Sequence, residues 1–366
     1  MAAALTVLIA LAVVQFVYFR VLVHRAPSPP GGPLGGGGPA PVPPAALGRR
    51  DVTVETLAGD TPGYRDGPAW QAQFSGPNAL ALDADGNLYV ADSRNHRIRR
   101  VSPQGRTETV AGSGNDSGAA LEGPALEVGL RYPSGVAVAT DGSVLIADTG
   151  HHRLCRLQDG KVTTVAGGQR GWADGKGAAA RFNLPATLQW GTDGALWVLD
   201  AGNRRLRRLS GDGTVTTPVQ PPARISRLMG DAVGAGPHPR LMASPNGEGS
   251  PVPVNYRLGK ASPGAETPSG LRLFADLSYH VILASQGDSP PLVLASRRQV
   301  GRISVGSRDD DGTRATFARP CAIVIANDRI AYVADYEGNR IRRLRLPPWL
   351  AAGQPVPRLR VGRFER

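Results

Sequence analysis

The feature that most constrains the fold is a phrase that occurs four times along the chain. It consists of an apolar run ending in Asp, a short polar loop and an arginine-rich segment. The copies read VADSRNHRIRRV (90–101), IADTGHHRLCRL (146–157), VLDAGNRRLRRL (198–209) and VADYEGNRIRRL (333–344). Four copies at wide spacing indicate repeated structural units, because a single binding motif needs only one copy.

Each copy divides into short apolar segments separated by turn residues. The copies open on F-x-x-P or L-x-x-P at Phe74, Leu130, Phe182 and Phe317, and three of them contain an Asp-Gly turn between the first two segments. Asp-Gly between alternating apolar runs is a strong hairpin signal. The pattern predicts a four-stranded antiparallel meander, and such sheets bury their faces by packing in a ring.

The phrase ADSRNHRI (91–98) resembles the NHL repeat, and this resemblance implies an all-β propeller fold. The interval from Pro185 to Pro320 is more than twice the interval between earlier copies, which leaves room for two further blades. One is read from 281–306, with Ser296 in place of Asp, and the other from RLMASPNGEGSPVPVNYRL and LRLFA. We therefore predict a six-bladed propeller of four-stranded antiparallel blades, in which the N-terminal strand at Val52–Gly59 completes the last blade.

The first fifty residues differ in composition from the repeats. Residues 2–19 carry no charge and are long enough to span a bilayer as a helix. A cleaved signal peptide is not favoured, because no basic segment precedes them and no small-residue cleavage site follows them. A Pro/Gly-rich stretch follows. The predicted organisation is a transmembrane anchor (1–25), a linker (26–50), the propeller (51–347) and a basic C-terminal tail (348–366).

The side of the membrane on which the propeller lies stays open. Arg20 and Arg25 directly follow the apolar segment, and the positive-inside rule then favours a cytoplasmic propeller. An anchored domain behind a long linker instead favours the extracytoplasmic side. The formal net charge of +12 bears on partners and solubility and does not separate these alternatives.

The recurring Asp and Arg flank the loop between the second and third strands of each copy. Opposite charges at the ends of a hairpin can pair, so we interpret them as structural pairs that hold the loop. Arginines that alternate with apolar residues, such as Arg99 after Ile98, are expected on a solvated strand face. The predicted pairs are Asp92 with Arg97, Asp148 with Arg153, Asp200 with Arg205, and Asp335 with Arg340.

A ligand is expected where the long loops emerge. The connections entering the first strand and those joining the second and third strands lie at the same end of a blade, and binding residues concentrate on long loops held by a rigid scaffold. We call this end the loop face and the opposite end the turn face. The candidate binding residues are Tyr64, Arg65, Trp70, Asn95, His96, His151, His152, Trp172, Asn203 and Asn339.

A catalytic role is not favoured by the residues. Gluconolactonase and paraoxonase hydrolases are six-bladed propellers with carboxylates around an axial calcium, whereas the positions after the first-strand proline here are Asn78, Ser134, Ala186 and Cys321. The loop histidines are read as hydrogen-bonding residues of the repeat, and no nucleophile elbow, HExxH or phosphate-binding loop is present. We predict no catalytic residues, no metal and no cofactor; a propeller hydrolase or lyase with an axial metal is the alternative.

RNA binding is a second alternative, because some animal NHL propellers bind RNA on a basic face. Part of the positive charge, however, lies before and after the repeats, and the loop face offers few aromatic platforms for bases. Nucleic acid is therefore not the favoured partner. The reading that fits best is a monomeric, membrane-tethered, non-catalytic scaffold that binds a protein or other macromolecule on its loop face.

Overall fold

The computed structural model describes the repeat region and the residues that flank it directly. The described residues are 51–116, 119–222, 225, 265–267, 270–276, 280–286, 292–295, 298–299, 302–303, 308–312 and 314–351. The predicted anchor and linker and the tail beyond residue 351 lie outside them. Within the described ranges, no helix is both long enough and apolar enough to cross a membrane.

The first three blades repeat one antiparallel meander. A lone strand, β1 (Thr53–Ala58), precedes them. Blade 1 consists of β2 (Pro77–Leu82), β3 (Leu88–Asp92), β4 (Arg97–Val101) and β5 (Thr107–Ala111). Blade 2 consists of β6 (Gly123–Pro124), β7 (Gly135–Val138), β8 (Val144–Asp148), β9 (Arg153–Gln158) and β10 (Lys161–Gly167). Blade 3 consists of β11 (Gly175–Lys176), β12 (Pro185–Trp190), β13 (Leu196–Asp200), β14 (Arg205–Leu209) and β15 (Thr214–Thr216).

Two further blades follow. Blade 4 contains β16 (Ala265–Glu266), β17 (Leu271–Asp276), β18 (Val281–Gln286) and β19 (Leu292–Ala295), and is followed by the hairpin of β20 (Arg298–Gln299) and β21 (Arg302–Ile303). Blade 5 contains β22 (Asp310–Asp311), β23 (Pro320–Asn327), β24 (Ile330–Asp335) and β25 (Arg340–Arg345). A short helix, α1 (Pro348–Ala351), ends the described chain.

The described residues form five blades, so the prediction of six is wrong. The sequence LRLFA was assigned to one blade and VILAS to the next. In the structure β17 and β18 are adjacent antiparallel strands, paired continuously from Leu271 with Gln286 to Asp276 with Val281. They therefore belong to one sheet, and the two blades predicted between Gln220 and Gly306 reduce to one among the described residues.

The N-terminal strand completes the last blade, as predicted. β1 pairs antiparallel with β25, with Thr53 opposite Arg345 and Val54 opposite Leu344. Val54 is buried in the same apolar cluster as Leu344, Val333 and Phe317. The strand thus ties the beginning of the repeat region to its end and contributes directly to the core of blade 5.

The blades pack through the apolar faces of their sheets. Inner strands of neighbouring blades contact one another: β17 contacts β23, β23 contacts β2, β2 contacts β7, and β7 contacts β12. Between blades 1 and 2, Ile98 packs in one cluster with Val136 and Ile146. The blades therefore follow one another in the order 4, 5, 1, 2, 3.

Candidate functional site

The residue before the third strand has the same backbone conformation in each blade. In blades 1 to 3 it follows a single 3₁₀ turn and is left-handed. In blades 4 and 5 the residue before the third strand is also left-handed. These residues are His96 (φ 57°), His152 (φ 56°), Arg204 (φ 55°), His280 (φ 56°) and Asn339 (φ 52°). A conformation that is uncommon for non-glycine residues recurs because other contacts hold it.

A buried ion pair lies beneath this loop. In blade 1, Asp92 and Arg99 are both fully buried, and Arg99 Nη1 lies 2.7 Å from Asp92 Oδ2. Two other blades repeat the arrangement. The equivalent pairs are Asp200 with Arg207 (3.0 Å) and Asp335 with Arg342 (3.5 Å).

In blades 1 and 3 the partner of the aspartate is therefore the second arginine of the third strand, and not Arg97 or Arg205 as predicted, and in blade 5 Arg342 likewise pairs with Asp335. Period-two alternation places both arginines on the same strand face, so spacing alone does not choose between them. Arg97 instead lies against the Tyr64 ring, with its guanidinium carbon 3.7 Å from the ring centroid. The expectation that Arg99 lies on a solvated face is also wrong.

Each buried arginine also reaches a second carboxylate, which comes from the segment that leads into the blade. Arg99 Nη2 lies 2.6 Å from Asp66, and Asp66 in turn accepts the backbone N–H of Thr109 in the outermost strand. The ring of Phe74 lies 5.1 Å from the guanidinium carbon of Arg99. The same set recurs as Asp174, Thr217 and Phe182 around Arg207, and as Asp309, Thr56 and Phe317 around Arg342.

Blade 2 reaches the same result with different residues. Cys155 replaces the second arginine, and the first one, Arg153, is buried and places Nε 2.7 Å from Asp148. The predicted pair of Asp148 with Arg153 is thus an ion pair of the structure. His151 Nδ1 lies 2.9 Å from Asp148, where Asn95 and Asn203 contact their aspartates in blades 1 and 3. Leu130 also stands at the Phe position and Glu122 at the Asp position of the leading segment.

The buried carboxylates carry a desolvation penalty. Burial raises the pKa of Asp92 to about 6, against the attraction of Arg99 and the hydrogen bonds from Asn95 and Ser75. Burial also raises the pKa of Asp200, and it lowers the pKa of Arg342. A charge pair placed out of water adds little net stability but is costly to break, so it fixes the geometry around it.

A second set of hydrogen bonds joins each loop to the next blade. The N–H of Tyr132 donates to Nδ1 of His96 (3.2 Å), and the N–H of Leu184 donates to Nδ1 of His152 (3.1 Å). Between blades 5 and 1, the N–H of Gly76 donates to Oδ1 of Asn339 (3.0 Å). Burial lowers the pKa of His96 and of His152, which favours the neutral ring that this acceptor role requires.

The residue that donates each of these bonds precedes the first-strand proline and has a positive φ. The values are 60° for Gly76, 47° for Tyr132 and 54° for Leu184. Glycine suits this conformation, whereas a large side chain there is strained by about 1–3 kcal/mol. Tyr132 and Leu184 are nevertheless 43% and 44% exposed, so burial does not explain why blades 2 and 3 keep them.

Several predicted binding residues have structural roles. Asn95 and Asn203 bind the buried aspartates and the carbonyl oxygens of Gly63 and Gly171 (2.7 Å each). Asn339 is buried. His96, His151 and His152 make the bonds described above. These contacts occupy Nδ1 of each histidine and the amide nitrogens of Asn95 and Asn203.

The remaining predicted residues lie farther out. Tyr64 and Trp172 are exposed, and each has an arginine over its ring, Arg97 at 3.7 Å and Arg205 at 4.1 Å. Arg65 is exposed on the loop face. Trp70, 79% exposed, follows Ala69, which lies beside Gly105 in the turn between β4 and β5, so the structure places Trp70 toward the turn face.

The sequence prediction missed the residues nearest the inner part of the loop face. They are Arg94 in the first loop, Arg131 and Tyr132 before β7, Leu184 before β12, and Arg204 in the third loop, all of them exposed. A sequence signal for Tyr132 and Leu184 does exist. The position before the first-strand proline is glycine in the first copy but Tyr and Leu in the next two.

The described part of the chain offers little for metal or thiol chemistry. No group of three or more His, Cys, Asp or Glu side chains in it could hold a metal ion. Cys155 and Cys321 are buried, and burial raises the pKa of both thiols well above its usual range. A buried thiol that stays protonated is a poor nucleophile.

Comparison with known proteins agrees with the repeat. Residues 74–101 and 130–157 match the NHL repeat. NHL repeat-containing protein 2 of Homo sapiens is 25% identical over 289 residues, which cover 73% of this chain and 38% of that protein. SUPPRESSOR OF QUENCHING 1, chloroplastic, of Arabidopsis thaliana is 32% identical over 145 residues, 37% of this chain and 14% of that protein. The chain thus spans well under half the length of these curated relatives.

Among solved structures, an auxiliary nutrient binding protein from Bacteroides ovatus has a TM-score of 0.46 at 14% identity, covering 81% of this chain and 77% of that chain. A streptogramin B lyase has a TM-score of 0.37 at 14% identity, covering 81% and 98%. The fold and the loop network define a β-propeller with four-stranded blades. The chain contains NHL repeats at 74–101 and 130–157, as the sequence resemblance implied.

Because Arg99 is buried and its neighbour Arg100 is partly exposed, we expect substitutions at these two positions of β4 to differ greatly in their effect on the free energy of unfolding. Arg99→Met leaves Asp92 buried without its cation, and we expect this to destabilise the propeller by about 3–5 kcal/mol. Arg100→Met removes only a partly exposed pair with Glu108 and should cost about 0–1 kcal/mol. Thermal unfolding of the two variants compares them directly, and equal losses would contradict the role assigned to Arg99.

The histidine acceptors predict a loss of stability in mild acid. Because the folded state lowers the pKa of His96 and His152, their contribution is fully present above their unfolded pKa of 6.5 and is lost as the pH falls below it. Protonation of Nδ1 removes the acceptor for the next blade. The thermal midpoint should therefore fall between pH 7.5 and pH 5.

The matched variant is His96→Asn with His152→Asn, because Asn339 already serves as this acceptor in blade 5. Its thermal midpoint should fall less over the same pH range than that of the wild type. Asp116, Arg131, Arg97 and Asp148 surround His96 and are unchanged in the variant. Identical pH profiles for the two proteins would show that these histidines do not couple to stability.

Proposed function

We propose that the protein is a binding scaffold that holds a protein or other macromolecular partner on its loop face, without catalysis. One observation carries the proposal: two large apolar residues, Tyr132 and Leu184, are kept exposed in a strained conformation for which blade 1 uses Gly76. Strain that is maintained at an exposed position is typical of a functional surface.

The surrounding network supports the same proposal. The buried pairs of Asp92 with Arg99 and Asp148 with Arg153 fix the loops from below, and the bond from Tyr132 to His96 fixes them to the next blade. A rigid scaffold with side chains already in place reduces the ordering cost of binding. The loop face is therefore suited to binding a partner without rearranging.

We further propose that residues 1–25 anchor the propeller in a membrane and that the linker at 26–50 separates the two. The support is the uncharged stretch at 2–19 and the Pro/Gly composition that follows it. The partner is then a molecule within reach of a membrane surface.

The partner surface can be tested with a photoreactive amino acid placed at single exposed positions of the full chain. Arg65 and Arg170 represent the loop face, and Asp85 and Thr192 represent the turn face. We expect irradiation of intact cells to give one discrete adduct from the loop-face positions and none from the turn-face positions. Adducts from the turn face alone, or from none of the four positions, would contradict the proposal.

The anchor can be tested separately by carbonate extraction of membranes that contain the full chain. The protein should stay in the membrane pellet, and a chain that lacks residues 1–25 should be released. Protease added outside sealed vesicles of known orientation then reports the side of the propeller. Release of the full chain by carbonate would rule out the anchor and leave the loop-face proposal unaffected.

A further inference from the structure

Exposed side chains on the loop-face segments of blades 1 to 3 include four arginines and two large apolar residues. They lie in the first loop, in the residues before β7 and β12, and in the third loop. We call this set the basic strip; it consists of Arg94, Arg131, Tyr132, Arg181, Leu184 and Arg204. Hydrogen bonds between blades fix its backbone at two points, Tyr132 to His96 and Leu184 to His152.

The cations of the strip are poorly neutralised by the protein itself. No carboxylate of the described residues forms an ion pair with Arg94, Arg181 or Arg204, and Arg131 reaches Asp116 only at 3.6 Å. Arg94 lies over the Tyr336 ring, which leaves its charge uncompensated. The strip is therefore a site of net positive charge.

The turn face differs in this respect. Its third-strand arginines have carboxylate partners close by: Arg100 lies 2.5 Å from Glu108 and Arg208 lies 2.9 Å from Asp193. Arg156 likewise pairs with Asp141. These third-strand arginines of the turn face are thus neutralised by the protein itself, whereas Arg94, Arg181 and Arg204 have no such ion pair among the described residues.

The strip combines these cations with the two apolar residues. Tyr132 and Leu184 occupy equivalent positions of adjacent blades; Tyr132 directly follows Arg131, and Arg181 stands three residues before Leu184. Arginine presents a planar group that binds carboxylates in a bidentate manner, and tyrosine and arginine are enriched among the residues that dominate binding energy. Cationic and apolar side chains on the same loop segments match a chain that carries both acidic and apolar residues.

We infer that the basic strip binds an extended acidic segment of a protein partner, with carboxylates on the arginines and an apolar side chain between Tyr132 and Leu184. The inference rests on the proposed binding role of the loop face and specifies the chemistry of its partner.

Nucleic acid fits these observations less well. Single strands are bound by stacking successive bases on aromatic rings, and Leu184 offers no ring. The Tyr132 ring already packs edge-on against His96, with centroids 4.6 Å apart. Tyr64 and Trp172, farther out, each have one face covered by arginine.

The chain itself does not supply the segment. Residues 26–46 carry no charge, and the tail at 352–366 is rich in arginine. An acidic occupant must therefore come from another molecule.

The test is affinity selection of a random 12-residue phage-displayed peptide library on the detergent-solubilised full chain. We expect the enriched peptides to contain several Asp or Glu together with at least one large apolar residue. A fluorescein-labelled copy of the most enriched peptide then gives the affinity by polarisation, and a poly-U 12-nucleotide RNA serves as the nucleic-acid probe.

Three double variants locate the binding. Arg131→Gln with Arg204→Gln should lower the affinity for the peptide by about tenfold or more, because charge-assisted bonds are lost. Tyr132→Gly with Leu184→Gly should lower the peptide affinity by a similar factor. The thermal midpoint of unfolding should not fall, since glycine adopts the positive φ without strain, as Gly76 does in blade 1. Arg106→Gln with Arg329→Gln removes the same charge from the turn face and should leave the affinity unchanged.

The outcomes separate the two proposals. Enrichment of neutral or basic peptides, tighter binding of the RNA than of the peptide, equal weakening by the turn-face variant, or no enrichment at all would each overturn the acidic-segment inference. If the loop-face positions still give a cross-linked adduct in cells, the binding role of that face stands and only the partner chemistry is wrong. If that adduct is also absent, both fail.

Discussion

The rest of the structure depends on the buried pair between an aspartate at the end of the second strand and an arginine of the third strand. In blade 1, Asp92 also accepts the N–H of Ser75 at the entry to the blade, and Arg99 also binds Asp66 of the leading segment. One pair thus connects the hairpin loop, the blade entrance and the outermost strand. Two charges out of water contribute little net stability, so their main effect is to fix these three segments relative to one another.

Blade 2 shows that these residues act as a unit. When the second arginine becomes Cys155, the first arginine, Arg153, moves into its place, and it also donates to Thr164 of the outermost strand (3.0 Å). His151 replaces an asparagine and still contacts Asp148. The exchange preserves a fully buried carboxylate with a buried guanidinium partner while changing four side chains. Blades 1, 2, 3 and 5 therefore share a buried aspartate with a buried guanidinium partner, while the position that supplies the guanidinium differs in blade 2.

Much of the fold followed from the sequence, because the period-two segments and turn residues recur in every clear copy and the leftover strand at Val52–Gly59 matched the strand missing from the last blade. The blade count did not follow, since 271–286 lacks the arginine-rich third strand of the clear copies and pairing of β17 with β18 depends on contacts between strands. The arginine partner did not follow either, because Arg97 and Arg99 share one strand face and only the position of Asp66 distinguishes them.

The same comparison between copies separates structural from functional residues on the loop face. His96, His152 and Asn339 differ in type yet all accept one hydrogen bond from the next blade, which accounts for them structurally. The donors of those bonds have no such explanation, because Gly76 shows that the bond forms without a side chain. Tyr132 and Leu184 therefore add exposed apolar surface at the expense of strain. A fold that needs only the backbone at these positions leaves their side chains available for recognition of a partner.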